Sequence, residues 1–349
     1  EAELEVKASI ETLYAKNAER RLLPASMTKV MSALVAFDLI AAGQLDENAE
    51  VTVRPATAAR WAGKGTSLYL QPGQRLRVRD LLLGLAAVSA NDAAIVLAET
   101  ALGSTEAWTA RMNQRAKTLH MAGSHFGTPN GWPDGGHTYV TARDMVRLAN
   151  ALIGQHPQLY RRYFGQPGMD WKGRHYANRD PLTGVVPGAD GIKTGHTREA
   201  GFNFIGAVER GGRRLVLVVG GVPTDPARAA AARELAEWGY AAWDSRPFVR
   251  TGQVVAQAKV QGGNARAVPL APDRAFRLTV PKGTHPTVST RVIYDGPVRA
   301  PIAKGAVVGG LEVRIEGQPV HYLPLRAARA IGPAGPFDRL ANGLLGLFE

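Results

Sequence analysis

The sequence contains no cysteine, and this absence removes several kinds of chemistry at once. Without a thiol among the 349 residues, disulfides, Cys-ligated zinc, iron–sulfur clusters and thiol nucleophiles are excluded. The histidines, among them His120, His125 and His137, follow neither an HExxH pattern nor a comparable ligand spacing. We therefore expect no metal site and no cofactor.

Long apolar runs are missing as well. The longest one, "LLLGLAAVSA" (81–90), is much shorter than the ~20 residues that a membrane-spanning helix needs. No signal peptide is visible at Glu1, and we expect that any leader has been removed. We expect a periplasmic or other extracytoplasmic protein, peripheral on the outer face of the cytoplasmic membrane.

Acidic residues are the minority. The chain has 42 Lys and Arg against 30 Asp and Glu, a net charge of +12, which suits anionic partners. The arginines are scattered, as in "RVRD", "YRRYF" and "RAARA", whereas a nucleic-acid site typically clusters them with interleaved aromatics. We predict no nucleic-acid binding, and we interpret the charge as a solvated surface or an attraction to membrane or wall.

The first 245 residues alternate helical and strand patterns. Two short strands are predicted within 3–17, and 201–222 indicates a β-hairpin that turns at Gly211-Gly212. This order predicts an α/β (α+β) domain over 1–245, whose antiparallel sheet joins both ends of the segment and packs on a helical cluster. Helices are predicted at 26–42, 79–88, 92–102, 104–118, 141–153 and roughly 226–243.

Two further segments follow. Residues 246–332 are short alternating runs separated by Gly, Pro, Asn and Asp, which predict a small all-β domain without a catalytic constellation. In 333–349, apolar residues recur on one helix face, which predicts an amphipathic C-terminal helix. Two interpretations of this stripe stay open, a helix docked on the β domain and an interfacial membrane anchor. The stripe consists of Phe337, Leu340, Ala341, Leu344, Leu345 and Phe348.

Ser26 and Lys29 lie at the start of the apolar stretch "PASMTKVMSALVAF" (24–37). Residues three apart share a helix face, so the hydroxyl and the amine are expected side by side near the core. A serine becomes a nucleophile when a base takes its proton, and a lysine is such a base only when burial or a second cation keeps it neutral. Ser-x-x-Lys alone is weak evidence, because it occurs often by chance.

Two more elements strengthen this signal. "VSAND" (88–92) places Ser89 and Asn91 between two helical runs, and "DGIKTGHT" (190–197) places Lys193 on a strand before the hairpin. There Thr194 can donate to a carboxylate, and Gly195 lets a ligand approach the backbone closely. This trio, in this order, is that of β-lactamases and penicillin-binding proteins.

The chain resembles the D-alanyl-D-alanine carboxypeptidases, low-molecular-mass penicillin-binding proteins of the penicillin-binding protein 5 type. "PASMTK", "SAND" and "DGIKTGHT" carry the resemblance, with support from "HFGTPNGWPD" and "TARDM". It extends over the whole chain, because that type has a transpeptidase/β-lactamase-like domain, a β-rich second domain and an amphipathic C-terminal anchor. One departure is Ser-Ala-Asn, where the family often has Ser-Gly-Asn.

The resemblance implies a reaction and its partners. Ser26 would attack the carbonyl of the penultimate D-alanine of a peptidoglycan stem peptide, and Lys29 would accept its proton. Ser89 would relay a proton to the leaving D-alanine, and Asn91 would hold the substrate amide. β-Lactam antibiotics would acylate Ser26 as covalent inhibitors, and the C-terminal helix would bind a membrane surface.

The remaining roles concern the strand with the third motif and the substrate carboxylate. Lys193 would keep Lys29 neutral and attract the carboxylate, which Thr194 of the Thr194–Gly195 pair would bind. The N–H groups of Ser26 and His196 would form the oxyanion hole. Arg228 is a candidate counter-ion, although it could be a surface residue of a first helical turn, and Arg179 would line the cleft.

Three other functions compete with this interpretation. A class A β-lactamase needs a glutamate between the second and third motifs, and the sequence has none between Glu106 and Glu199. A D,D-endopeptidase stays open, although such enzymes commonly lack the β domain. A non-catalytic wall-binding scaffold is disfavoured, because a protein that had lost its activity would have no reason to keep all five candidate catalytic residues. These are Ser26, Lys29, Ser89, Asn91 and Lys193.

Overall fold

The computed structural model describes residues 12–336. Contacts group Tyr14–Gly239 into one unit, and a second unit begins at Tyr240, a few residues before the predicted boundary at 245. Each unit has a hydrophobic core of its own. No helix in 12–336 is both long enough and apolar enough to cross a bilayer.

Helix α1 is the centre of the first unit. Its residues from Lys29 to Phe37 are all buried, as expected for a helix that is apolar on every side. Val30, Met31 and Leu34 pack into the core that α3 to α7 also line. The helices within 12–336 are α1 (Lys29–Ala41), α2 (Pro55–Trp61), α3 (Val78–Leu83), α4 (Asn91–Leu102), α5 (Thr105–Thr118), α6 (Ala142–Gln155), α7 (Pro157–Tyr163) and α8 (Asp225–Ala241).

An antiparallel sheet of three strands, in the order β5-β6-β7, packs against this cluster. Strands β6 and β7 form the predicted hairpin, and Gly211 and Gly212 have φ of +56° and +71°, which a tight hairpin turn requires. Two short pairs, β1-β2 and β3-β4, complete the strands of this unit in the described range. They are β1 (Glu50–Thr52), β2 (Arg75–Arg77), β3 (Gly168–Trp171), β4 (Arg174–Ala177), β5 (Ala189–Thr197), β6 (Gly201–Arg210) and β7 (Arg213–Val222).

The second unit is all-β from β8 onward. One sheet has the strand order β12-β14-β15-β10-β9-β13, and β8 pairs with β11. Leu311, Val313 and Leu323 of the larger sheet share a core with Phe276 and Leu278 of the smaller one. The strands are β8 (Trp243–Val249), β9 (Ala256–Gln261), β10 (Ala267–Pro272), β11 (Phe276–Pro281), β12 (Val288–Tyr294), β13 (Val298–Arg299), β14 (Val307–Ile315) and β15 (His321–Ala327).

The predicted fold class is confirmed, and the errors concern short elements. Helices α2 and α7, seven residues each, were not predicted, because a stripe of two turns gives little periodicity. The helix predicted at 79–88 is α3 followed by a π-helical turn, Gly84–Val88. The four short strands β1 to β4 were also missed, as were β8, β10 and β13.

The predicted sheet partner at the start of the chain is not found in the described part. Most of the two strands predicted in 3–17 lies outside the described residues, and 12–17 contain no strand. The C-terminal stripe, which begins at Phe337, lies outside them as well.

Candidate active site

Ser26 lies on a short 3₁₀ turn, Ala25–Thr28, directly before α1. Ala25 has a left-handed φ of +48°, an uncommon conformation for alanine that is typical of functional sites. Gly131 lies so close that a Cβ there would come within 1.8 Å of the Ala25 carbonyl oxygen. The turn brings Ser26 Oγ to 2.8 Å from Lys29 Nζ, as the motif spacing predicted.

Lys29 is fully buried and has three oxygen neighbours. Its Nζ donates to Asn91 Oδ1 at 2.8 Å and to the Asn130 carbonyl at 2.7 Å, and it lies 2.8 Å from Ser26 Oγ. Asn91 Oδ1 and the carbonyl can only accept. A neutral amine has two N–H groups, so these two acceptors take both of them and the lone pair faces Ser26 Oγ.

The protonation state of Lys29 favours this arrangement. Burial is the main cause that lowers its pKa well below the usual lysine value, and the positive charge of Lys193 lowers it further. The Asp92 carboxylate opposes the shift in part. The lowered pKa favours the neutral form of this buried amine.

The second motif surrounds the start of α4. Asn91 Nδ2 donates to the Lys64 carbonyl at 3.0 Å, which fixes the amide with its oxygen toward Lys29 and leaves one N–H for a ligand. Buried Asp92 accepts from Ser67 Oγ at 2.6 Å and from the Leu68 N–H at 3.0 Å. This motif therefore positions both Lys29 and the loop over 64–68.

Ser89 lies between the π-helical turn and α4, with a left-handed φ of +70°. It is half-buried, and its hydroxyl makes no hydrogen bond to another residue of 12–336. Its N–H and carbonyl belong to the break between the two helical runs that the sequence indicated.

Sequence reasoning missed the contribution of Asn130, which acts through its backbone. Its carbonyl accepts from Lys29, and its neighbour Pro129 accepts from Ser32 Oγ at 2.5 Å. Trp108 Nε1 donates to the same Ser32 hydroxyl at 3.1 Å. A backbone acceptor leaves no residue-type signal, and only the segment "HFGTPNGWPD" pointed to this loop.

Strand β5 passes directly beside the turn Ala25–Thr28. A Cβ on Gly195 would come 2.3 Å from the Pro24 carbonyl oxygen and 3.1 Å from the Met27 nitrogen. The side of Gly195 that a Cβ would occupy thus faces the protein's own backbone, so this glycine allows strand and turn to touch. Thr194 is half-buried, and His196 is exposed.

Tyr160 and Arg214 clamp the start of β5 at Asp190. Tyr160 Oη donates to the Asp190 carbonyl at 2.9 Å and lies 3.1 Å from its carboxylate. Arg214 donates to both carboxylate oxygens at 2.8 Å. The pairing of β5 with β6 is irregular between Ala189 and Gly191, so these bonds hold the strand where the ladder is interrupted, three residues before Lys193.

Lys193 is buried in a positive environment. Burial and the nearby Arg228 lower its pKa to about 7, Arg179 contributes in the same sense, and Asp180 opposes. Its Nζ donates to the Thr194 carbonyl at 3.1 Å. Two arginines therefore lie close enough to Lys193 to lower its pKa, and positive charge is concentrated around its amine.

Arg228 is not the surface residue that its place in the first turn of α8 allowed. It is only 4% exposed, forms an ion pair with Asp225, and its buried Nε has no hydrogen-bond partner in the described part of the chain. Its guanidinium lies 5.8 Å from the ring centre of Phe202, on which His196 also stacks, at 3.9 Å. Arg179 is exposed.

Metal ligation has no support in this geometry. Within 12–336 no group of three or more His, Asp or Glu side chains could hold a metal ion. A serine hydroxyl beside a buried lysine amine, next to a strand that carries a second buried lysine, is the arrangement typical of serine acyl-transfer enzymes of the Ser-x-x-Lys class.

Comparisons with known proteins agree with this class. The D-alanyl-D-alanine carboxypeptidase family model matches residues 6–224, and the model of the penicillin-binding protein 5 C-terminal domain matches 243–332. The chain belongs to the D-alanyl-D-alanine carboxypeptidases, of the penicillin-binding protein 5 type, and is a serine peptidase.

Individual relatives cover most of the chain. D-alanyl-D-alanine carboxypeptidase DacD of Escherichia coli (strain K12) is 32% identical over 339 residues, which are 95% of this chain and 86% of that protein. The structure of penicillin-binding protein 5 from Haemophilus influenzae is similar with a TM-score of 0.79 and 28% identity, over 92% of this chain and 93% of that one. Penicillin-binding protein D2 from Listeria monocytogenes, in an ampicillin-bound form, is similar with a TM-score of 0.60 and 30% identity, over 66% and 92%.

Proposed function

We propose that Ser26 is the nucleophile of a D,D-carboxypeptidase reaction and Lys29 its base. The arrangement of Lys29 Nζ, with two carbonyl-type acceptors and a lone pair toward Ser26 Oγ, carries this proposal. Ser26 Oγ attacks the carbonyl carbon of the penultimate D-alanine while its proton passes to Lys29. The C–N bond then breaks, D-alanine leaves with a proton relayed through Ser89, and water hydrolyses the acyl-enzyme.

The groups around the serine stabilise the charges of this reaction. The backbone N–H groups of Ser26 and His196 form the oxyanion hole, because preorganised donors aimed at the developing oxyanion lower the barrier. The free N–H of Asn91 Nδ2 holds the substrate amide.

The terminal carboxylate of the substrate binds where positive charge is concentrated around Lys193. Lys193, Thr194 and Arg228 receive it, and Arg179 adds positive charge at the exposed side. The unpartnered buried Nε of Arg228 supports this assignment, since a buried donor without a partner costs about 1–3 kcal/mol.

β-Lactams acylate the same serine. Ampicillin is bound in the Listeria monocytogenes relative, and the strained amide of a β-lactam presents a carbonyl where the peptide carbonyl would lie. Without a glutamate in 107–198 to activate water, the penicilloyl-enzyme turns over slowly.

Peptide mapping of a labelled penicillin tests the nucleophile. The label is expected on Ser26, with none bound by Ser26→Ala and full labelling of Ser289→Ala, an exposed serine of β12. A label on another residue would refute the assignment, and rapid multiple turnover of penicillin would favour a β-lactamase.

The domains and the location follow from this assignment. Residues 1–245 form the peptidase domain, 246–332 the β-rich domain, and 333–349 an amphipathic segment that binds a membrane surface weakly from its extracytoplasmic side. Deletion of 337–349 is expected to lower co-sedimentation with vesicles and to leave hydrolysis of a soluble D-Ala-D-Ala peptide unchanged. Equal sedimentation of both forms would refute membrane binding by this segment and support the other interpretation, a helix docked on the β domain.

A further inference from the structure

The second unit carries most of the net positive charge of the chain. Residues 240–336 contain thirteen Lys and Arg and five Asp and Glu, a net charge of +8. Two arginines are neutralised, Arg314 by Glu312 and Arg326 by Asp273.

Strand register places several of them on one face of the six-stranded sheet. Paired residues of neighbouring strands share a face, and the face alternates along each strand. Arg291 pairs with Glu312, and Glu312 with Tyr322. This row belongs to the face opposite the core, which Leu311 and Leu323 line.

The same face continues across the other strands. On β15, Arg326 lies on the same face as Tyr322, because an even number of residues separates their positions. Arg326 pairs with Ala271 of β10. On β10, Ala267 lies on the same face as Ala271, and it pairs with Lys259 of β9. Gln261, the next residue on this face of β9, pairs with Arg299 of β13.

We call this face the basic face; most of its charged side chains are exposed, whereas Glu312 is buried. The basic face is defined by Lys259, Arg291, Arg299, Arg314 and Arg326, with Glu312 as its only acidic strand residue. Lys259, Arg291 and Arg299 are exposed and form no ion pair with another residue of 12–336. Between them lie small or rigid residues such as Ala267, Ala271 and Gly310.

The geometry points to an anionic lipid surface as the partner of the basic face. Its cations are spread from one edge of the sheet to the other, so they match a plane of negative charge better than a linear polymer in a groove. The last described residues lie next to one strand of this sheet. Pro333 bridges Gly263 and the Ala334 N–H donates to the Gly262 carbonyl, next to the end of β9, and the amphipathic stripe begins at Phe337.

This inference rests on the proposed membrane association and adds a second, electrostatic contribution to it. The test uses the full chain and vesicles of phosphatidylcholine with or without phosphatidylglycerol. The basic-face variant is Lys259→Gln, Arg291→Gln, Arg299→Gln. The matched control removes three exposed cations of the same unit that lie off this face, as Arg246→Gln, Arg250→Gln, Lys282→Gln.

Each basic residue near an anionic surface contributes about a fivefold gain in binding. The basic-face variant is therefore expected to lose roughly a hundredfold in its partition constant on phosphatidylglycerol vesicles, and the control about fivefold or less. Binding to phosphatidylcholine alone should not change, and added salt should abolish the difference because it screens the charges. Hydrolysis of a soluble D-Ala-D-Ala peptide by all forms shows that they are folded.

Several results would overturn the inference. Equal losses in the two triple variants would reduce it to an effect of net charge, and no loss in either would end it. Tighter binding of soluble polyphosphate than of vesicles would make the face a polymer site. Deleting 337–349 separates the two elements. If only the deletion abolishes binding, the result supports the tail proposal and refutes the role of the basic face. If only the basic-face variant abolishes binding, the result supports the basic face and refutes the tail proposal.

Discussion

At the scale of single residues, the proposed role of Lys29 as the base makes the reactivity of Ser26 depend on the protonation state of Lys29. Because burial and Lys193 lower the pKa of Lys29, the acylation rate should rise with pH as Lys29 loses its proton, and level off below the range of an ordinary lysine. Lys29→Arg keeps its proton, so we expect acylation to fall by roughly 10²–10⁴-fold, the usual contribution of a general base. Stopped-flow acylation by a chromogenic β-lactam measures both effects.

The control for Lys29 is Lys117→Arg, a change on the exposed side of α5. It should leave the rate and the pH profile unchanged. A Lys29→Arg protein that acylates at the wild-type rate would exclude Lys29 as the base.

Lys193 is expected to lower the free energy of unfolding of the protein, although its proposed role in the reaction requires it. Its pKa of about 7 lies below the unfolded value of about 10.4, so the unfolded chain binds the proton more tightly. The free energy of unfolding contributed by this group therefore rises with pH from about 7 to about 10.4. Lys193→Met should raise the free energy of unfolding by roughly 1–3 kcal/mol at pH 7, because a buried cation beside arginines is removed.

Denaturant unfolding at several pH values checks this, with acylation measured in parallel. Lys193→Met should be more stable and much less active, and it should lack the part of the pH-dependent rise that belongs to Lys193. Lys117→Met, at an exposed helix position, should change stability by less than about 0.5 kcal/mol. A less stable Lys193→Met protein would show that the positive charge contributes to folding.

At the scale of elements, the close approach of β5 to the turn Ala25–Thr28 holds the third motif beside the first. Gly195→Ala would place a Cβ 2.3 Å from the Pro24 carbonyl oxygen, so strand and turn must separate. We expect a loss of about 1–3 kcal/mol in stability, typical of overpacking, and a larger loss in acylation, because Ser26 and Lys193 move apart.

The matched change is Gly154→Ala on α6, where a Cβ meets no atom within 4 Å. It should be neutral or stabilising by up to about 1 kcal/mol, because alanine favours a helix. Thermal unfolding and penicilloylation of both variants make the comparison. Normal acylation of Gly195→Ala would show that the close approach is not needed.

At the scale of the whole molecule, the two units have separate cores. A ligand stabilises only the unit that it binds, so calorimetry should resolve two transitions, and acylation by ampicillin should raise only that of the peptidase unit. Leu311→Ala, a buried change in the second core, should lower the other transition by the equivalent of about 2–5 kcal/mol. A single transition that moves as one in both experiments would contradict independent units.

The sequence by itself determined the class of the protein and most of its elements. The apolar stretch of α1, the Ser-x-x-Lys spacing at its start and the glycine pair of the hairpin are local signals, so they can be detected without tertiary information. Motif spacing predicted that Ser26 and Lys29 would be neighbours, because residues three apart in a helical turn must be close.

Tertiary structure alone decided how the site is completed. The Asn130 carbonyl lies 101 positions from Lys29, and a backbone acceptor has no sequence signature. The burial of Arg228, the clamp of Tyr160 and Arg214 on Asp190, and the backbone that Gly195 faces depend on contacts between distant segments. A local pattern specifies which side chains are available, whereas desolvation and the pairing of remote atoms, which lower the pKa of Lys29 and Lys193, arise only when the chain packs.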